Sequence, residues 1–91
     1  MTDTTAKPDY QMTEIEEGSA LVLCLQGRIT LRDAESLLAR MNDAVAEGSP
    51  ASVRIDLSGV SYMDGAGVLT LLRLEDSIRT KGVPFTLVRV P

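Results

Sequence analysis

The chain alternates between strand-forming and helix-forming segments in an order that leaves few folds open to it. Apolar runs or two-residue alternation predict strands, and apolar residues spaced three and four apart predict helices. Strands are predicted at residues 10–16, 20–25, 53–57 and 85–90, and helices at about residues 30–48 and 65–80. Because a helix separates each of the last three strands, these strands should be parallel to one another. We therefore predict an α/β fold of order β-β-α-β-α-β around a mixed four-stranded sheet.

The ends of these segments carry recognisable signals. Residues 20–25 are apolar on both faces, which is typical of a central strand, and the weaker alternation of residues 10–16 predicts an edge strand paired with it as a hairpin. Gly27 should end the second strand. Thr30 and Asp33 resemble a capping box at the start of the first helix. Gly48 and Pro50 should end that helix.

Composition excludes several classes of function. The chain has no histidine and one cysteine, so it lacks the residues for Ser-His-Asp or Cys-His catalysis and for the usual zinc sites. Its net charge is −4 without a cluster of basic residues, which argues against nucleic acid or an anionic membrane as partner. Cys24 has no cysteine to pair with and should be a small buried apolar residue. No apolar stretch is long enough to span a membrane. We expect a cytoplasmic protein that is not an enzyme, with no cofactor and no metal.

The segment Asp64-Gly65-Ala66-Gly67 lies between a predicted strand and a predicted helix and is the first candidate site. Asp64 is suited to cap the helix, because its carboxylate can accept backbone N–H groups at the positive end of the helix dipole. The glycines permit a close approach, either of the helix to a strand or of a partner to the turn. The segment lacks the spacing and the lysine of a phosphate-binding loop. Asp56 and Asp64 could hold Mg²⁺, but two carboxylates are few ligands for that ion.

The second predicted helix carries more apolar surface than one contact with a sheet needs. Leu71, Leu74 and Ile78 form one strip and Val68, Leu69 and Leu72 another, with a Glu75–Arg79 ion pair between them. Thr70 is expected on the opposite, polar side. We predict that one strip packs on the sheet while Leu69 or Leu74 binds a partner near the turn. The alternative is that a small domain buries both strips.

Residues 55–72, followed by Lys81-Gly82 and the last strand, resemble the STAS domain of sulfate transporters and anti-sigma-factor antagonists. The resemblance covers residues 10–91, which leaves residues 1–9 as a flexible tail. It implies a non-catalytic module for protein–protein interaction, in which residues 64–67 and the helix after them contact the partner. The family usually has a further helix after the fourth strand, whereas this sequence stops at Pro91. Either that helix is absent or the sequence is a fragment, and an uncovered surface would favour a homodimer.

The resemblance also predicts the chemistry of the turn. In phosphorylation-switched members a serine follows the turn aspartate, and here that position is Gly65, which has no hydroxyl to phosphorylate. Ser58, Ser61 and Thr70 are nearby but do not occupy the matching position. The sequence is most similar to STAS domains that accompany Mla-type lipid ABC transporters, whose partner is the ATPase or the permease. An anti-sigma-factor antagonist that binds an anti-sigma factor is the alternative, and a small-ligand binder is a third.

Overall fold

The computed structural model describes residues 7–88, in which four strands form one mixed sheet. The elements are β1 (Tyr10–Glu17), β2 (Ala20–Ile29), α1 (Ala34–Gly48), β3 (Ser52–Met63), α2 (Gly65–Thr80) and β4 (Phe85–Val88). The strand order is β1-β2-β3-β4, with β1 antiparallel to β2 and the other pairs parallel. The predicted order of elements and the mixed sheet are confirmed. Neither helix in residues 7–88 has the length and apolar character needed to cross a bilayer.

Both helices lie on the same face of the sheet. They contact each other, which two helices on opposite faces could not do. Alternate residues of the central strands, such as Leu23 on β2 and Ile55 on β3, are fully buried in this layer. The helices contribute fully buried aliphatic side chains, including Leu37 and Ile78. The core is therefore mostly aliphatic, with Tyr10 and Phe85 as its aromatic members, as expected of a chain with 3% aromatic residues.

β2 runs beyond the predicted end at Gly27, so that prediction is wrong. Gly27 has a φ of +91°, and the pairing of β2 with β3 is irregular next to it. A Cβ atom at this position would lie 2.4 Å from the backbone oxygen of Asp9. The glycine thus lets the N-terminal segment cross close to β2 at a bulge, and the strand continues to Ile29.

The predicted capping box at Thr30 and Asp33 is also wrong. Residues 31–33 form a turn, and α1 begins at Ala34 after Asp33 as the N-cap residue, whose side chain makes no capping hydrogen bond. The Asp33 carboxylate instead accepts the backbone N–H of Asp9 at 3.0 Å. Asp33 thus makes a hydrogen bond to a residue 24 positions away in place of the predicted local capping bond. Spacing in the sequence could not indicate this distant partner.

β3 is longer than predicted because its second half pairs with the extended β2, as far as Met63 opposite Ile29. Within the described residues, β4 pairs with Val53 to Asp56 of β3. Residues 89 and 90 of the predicted last strand lie outside the described residues.

Cys24 is half-buried. The pKa of its thiol is raised, mainly by burial and secondly by the negative charge of Asp56.

The bounds of α2 agree with the prediction, and its two apolar strips have different environments. The strip of Leu71, Leu74 and Ile78 is buried in the core. Val68, Leu69 and Leu72 remain 48%, 49% and 52% exposed, so the expectation that a small domain buries both strips is wrong. The prediction that Leu74 could contact a partner is wrong as well, because this side chain is 0% exposed.

Two truncations on α2 test this assignment. Leu74→Ala should lower the free energy of unfolding by about 2–5 kcal/mol, because it leaves a cavity in the core. Leu72→Ala removes the same atoms from a half-exposed site and should cost about 1 kcal/mol or less. Urea unfolding of the two variants and the wild type measures both values. Equal losses would contradict the assignment of the strips.

Candidate functional site

The Asp64 carboxylate joins the start of α2 to the loop that precedes α1. Its Oδ1 accepts the N–H of Gly67 at 2.9 Å, which is the predicted helix cap. Its Oδ2 accepts the N–H of Leu31 at 3.0 Å, and the Asp64 N–H donates to the Ile29 carbonyl at 3.2 Å. These hydrogen bonds, first that from Gly67 and then that from Leu31, hold the pKa of the carboxyl below its ordinary value. Both oxygens thus have structural partners.

The two glycines of the turn have different roles. A Cβ atom on Gly67 would lie 2.6 Å from Met63 Cγ and 2.8 Å from the Ile29 carbonyl oxygen, so α2 approaches the strands closely here. A Cβ atom on Gly65 would meet nothing within 4 Å, and the residue is exposed. The close approach to a strand therefore applies to Gly67, while Gly65 presents open surface. Ala66 between them is half-buried.

The hydroxyl groups near the turn are also divided by exposure. Thr70, predicted on the polar side of α2, is buried, and its hydroxyl donates to the Ala66 carbonyl at 2.9 Å. The hydroxyl of Ser61 donates to the Gly27 carbonyl at 3.2 Å, and Ser58 is exposed. Of these three residues only Ser58 and Ser61 are accessible from solvent.

An exposed apolar surface surrounds the turn. It consists of Val68, Leu69 and Leu72 on α2 together with Leu31, which is 75% exposed. We call these four residues and Gly65 the docking surface. The sequence did not identify Leu31 as part of a candidate site, because this residue was placed in the first predicted helix. Its exposure could not be recognised there. Its backbone N–H bond to Asp64 brings it next to the start of α2.

A groove of about 330 Å³ borders this surface between α2 and the second half of β3. Val68 and Leu72 belong to both the docking surface and the groove. The Tyr62 ring lines the groove, and the Arg28 guanidinium lies 4.7 Å from the ring centroid. The remaining lining residues are Leu57, Val60, Ser61, Met63, Leu71 and Leu87. Because these walls are largely apolar, the groove enlarges the surface on which an apolar segment could be buried.

The two aspartates considered for Mg²⁺ are not brought together. Eight positions of mostly extended chain separate Asp56 from Asp64, a span of roughly 25 Å. Asp56 accepts the N–H of Ser58 at 2.9 Å, and the hydrogen bonds from Ser58 hold its pKa low. Within residues 7–88 no group of three acidic, cysteine or histidine side chains could hold a metal.

The different surroundings of Gly65 and Gly67 can be tested by measuring the stability of alanine variants. Gly67→Ala should lower the free energy of unfolding by about 1–3 kcal/mol, because the new methyl group overlaps Met63 and the Ile29 carbonyl. Gly65→Ala meets open space and should be neutral or stabilising by up to about 1 kcal/mol. Thermal and urea unfolding measure both. A Gly67→Ala variant as stable as Gly65→Ala would refute the close approach.

The lowered pKa of Asp64 predicts how stability changes with pH. A carboxyl whose pKa is lower in the folded state stabilises that state above the unfolded pKa of about 3.9, and this contribution is lost as pH falls toward the folded pKa. Asp64→Asn should therefore show a smaller loss of stability between pH 5 and pH 2 than the wild type. Melting temperature measured across this range tests the prediction, and parallel curves would contradict it.

Comparison with known proteins agrees with the fold. The family model described as Mlab, STAS domain matches residues 12–91. An anti-sigma factor antagonist from Mycobacterium paratuberculosis superimposes with a TM-score of 0.81 at 24% identity, covering 96% of this chain and 74% of that one. An antisigma-factor antagonist STAS domain from Rhodobacter sphaeroides superimposes with a TM-score of 0.75 at 17% identity, covering 87% of this chain and 85% of that one.

The unphosphorylated form of the anti-sigma factor antagonist SpoIIAA has the same fold, with a TM-score of 0.70 at 18% identity and coverage of 90% of this chain and 74% of that one. At such identities the structures show a shared fold, whereas the family model spans nearly the whole chain. This chain belongs to the STAS domain family.

Proposed function

We propose that this chain is a non-catalytic protein–protein interaction module that regulates a lipid ABC transporter from the cytoplasm. The observation that carries the proposal is the docking surface, where four large apolar side chains stay exposed around the turn of a STAS domain. The description of the matching family model as Mlab supports the transporter as the system. The partner is then the ATPase or the permease of that transporter.

The energetics of the docking surface suit a protein partner. Burying the exposed halves of Val68, Leu69 and Leu72 contributes on the order of 3 kcal/mol to binding. Leu31 and the adjoining groove add apolar area on either side of this strip. A core of apolar contacts of this kind, surrounded by polar groups, is typical of protein interfaces. The surface therefore needs neither a cofactor nor a reacting group to bind.

Gly65 determines how such an interface would be regulated. In this sequence the position matching the phosphoacceptor has no hydroxyl, and the space where a side chain would begin is open. A partner can approach the backbone of the turn closely, since no side chain intervenes. We propose that docking at this turn is not switched by phosphorylation at Gly65.

The alternative function is that of an anti-sigma-factor antagonist whose binding does not depend on the usual serine. The specific observation in its favour is that the structural neighbours in Mycobacterium paratuberculosis and Rhodobacter sphaeroides are described as anti-sigma-factor antagonists. The two functions differ in the partner and use the same surface.

Binding measurements separate the two functions. The chain is tested by co-purification and calorimetry against the ATPase and permease of the lipid ABC transporter from its own genome, and against its anti-sigma factors. Binding to the transporter alone supports the proposal. Binding to an anti-sigma factor alone supports the alternative, and sedimentation of the isolated chain tests the homodimer expected from an uncovered apolar surface.

Charged substitutions test where the partner binds. Leu69→Asp and Leu72→Asp should each weaken binding at least tenfold, because each places a carboxylate in an apolar contact. Ile15→Asp is the matched control: it is 41% exposed and lies on β1, away from the turn. Affinity unchanged in both α2 variants, or reduced equally by the control, would contradict the docking surface.

A further inference from the structure

The N-terminal residues Lys7 to Asp9 contact the loop between β2 and α1. The Arg32 guanidinium donates to the Lys7 carbonyl at 2.9 Å and forms an ion pair with Asp9 Oδ1 at 2.9 Å. The predicted tail spans residues 1–9; residues 1–6 lie outside the described part, and residues 7–9 have these defined contacts. We call residues 7–9 the clasp.

The backbone of Asp9 also contributes to the clasp. Its N–H donates to Asp33 Oδ2 at 3.0 Å, and its carbonyl accepts the N–H of Arg28 at 2.9 Å. Asp33 is 7% exposed, so this hydrogen bond is shielded from water. The close approach of Asp9 to Gly27 continues the same contact along β2. Side chain and backbone thus connect the clasp to the last residues of β2 and to Arg32 and Asp33 of the loop.

The same loop contacts the turn on its other side. The N–H of Leu31 donates to Asp64 Oδ2, and the Ile29 carbonyl accepts the N–H of Asp64. Arg32 and Asp33, which hold the clasp, directly follow Leu31, which holds the turn. The loop therefore has only a few backbone torsions between its contacts with the clasp and its contact with Asp64.

We infer that the clasp positions Leu31 against Asp64 and so couples the N-terminal segment to the geometry of the docking surface. The inference goes beyond the proposed function, because it concerns the isolated chain and needs no partner. The Asp9–Arg32 ion pair is exposed and therefore weak, so it can break without unfolding the domain. Coupling is reciprocal, so a partner that orders the turn would also tighten the clasp.

A single substitution far from the turn in the sequence tests the inference. Asp9→Ala removes the ion pair with Arg32 and keeps both backbone hydrogen bonds of residue 9. The hydrogen exchange of the Leu31 amide, measured by NMR, should become about twofold to fivefold faster, the range that corresponds to one exposed ion pair. The pKa of Asp64 should rise toward its ordinary value, because its bond from Leu31 is weakened.

Glu17→Ala is the matched control. It removes an ion pair with Arg54 of similar exposure at the opposite end of β1, and it should leave the Leu31 exchange and the Asp64 pKa unchanged. Arg32→Ala removes the same ion pair and also the hydrogen bond to the Lys7 carbonyl, so its effect should be at least as large as that of Asp9→Ala. Adding Asp9→Ala to Arg32→Ala should change nothing further, because the ion pair is already lost. Wild-type exchange and titration in Asp9→Ala, or equal changes in the control, would overturn the inference. Such a result would leave the proposed function untouched.

Discussion

The close contact between the start of α2 and the ends of β2 and β3 fixes how this helix lies on the sheet. Gly67 allows it, because any side chain there would overlap Met63 and the Ile29 carbonyl. Asp64 holds it from both sides, as the cap of α2 and as the acceptor for Leu31. Once this distance and direction are set, Leu71, Leu74 and Ile78 reach the core as one strip.

The same contact accounts for the exposed surface. With one side of α2 against the sheet, Leu69 and Leu72 have no position left in the core of this two-layer domain. Beside the exposed strip, a groove lies between α2 and the second half of β3. The docking surface is thus a consequence of how α2 packs on the sheet. The residues that fix this packing are different from those that face solvent.

The residues of the turn divide between those that stabilise the domain and one that is exposed. Asp64 and Gly67 are used within the domain, and Gly65 is the position that remains free to vary. A hydroxyl at that position can therefore be gained or lost without disturbing the helix or its cap. The loop between β2 and α1 extends the arrangement, since it joins the turn to the N-terminal residues through Arg32 and Asp33.

The order of elements, the mixed sheet, the bounds of α2 and the Asp64 cap could all be predicted from the residues alone. These features depend on periodicity and on contacts between neighbours in the chain, which local composition encodes. Features that depend on distant partners could be recognised only in the folded chain. β2 passes Gly27 because Asp9 approaches it, and Asp33 forgoes its predicted local role to bind the N–H of Asp9. The direction in which α2 meets the sheet decides which of its two strips is buried. It also places Leu31 beside the exposed strip. A helical wheel defines the two faces of a helix, but it does not show which face is buried in the core.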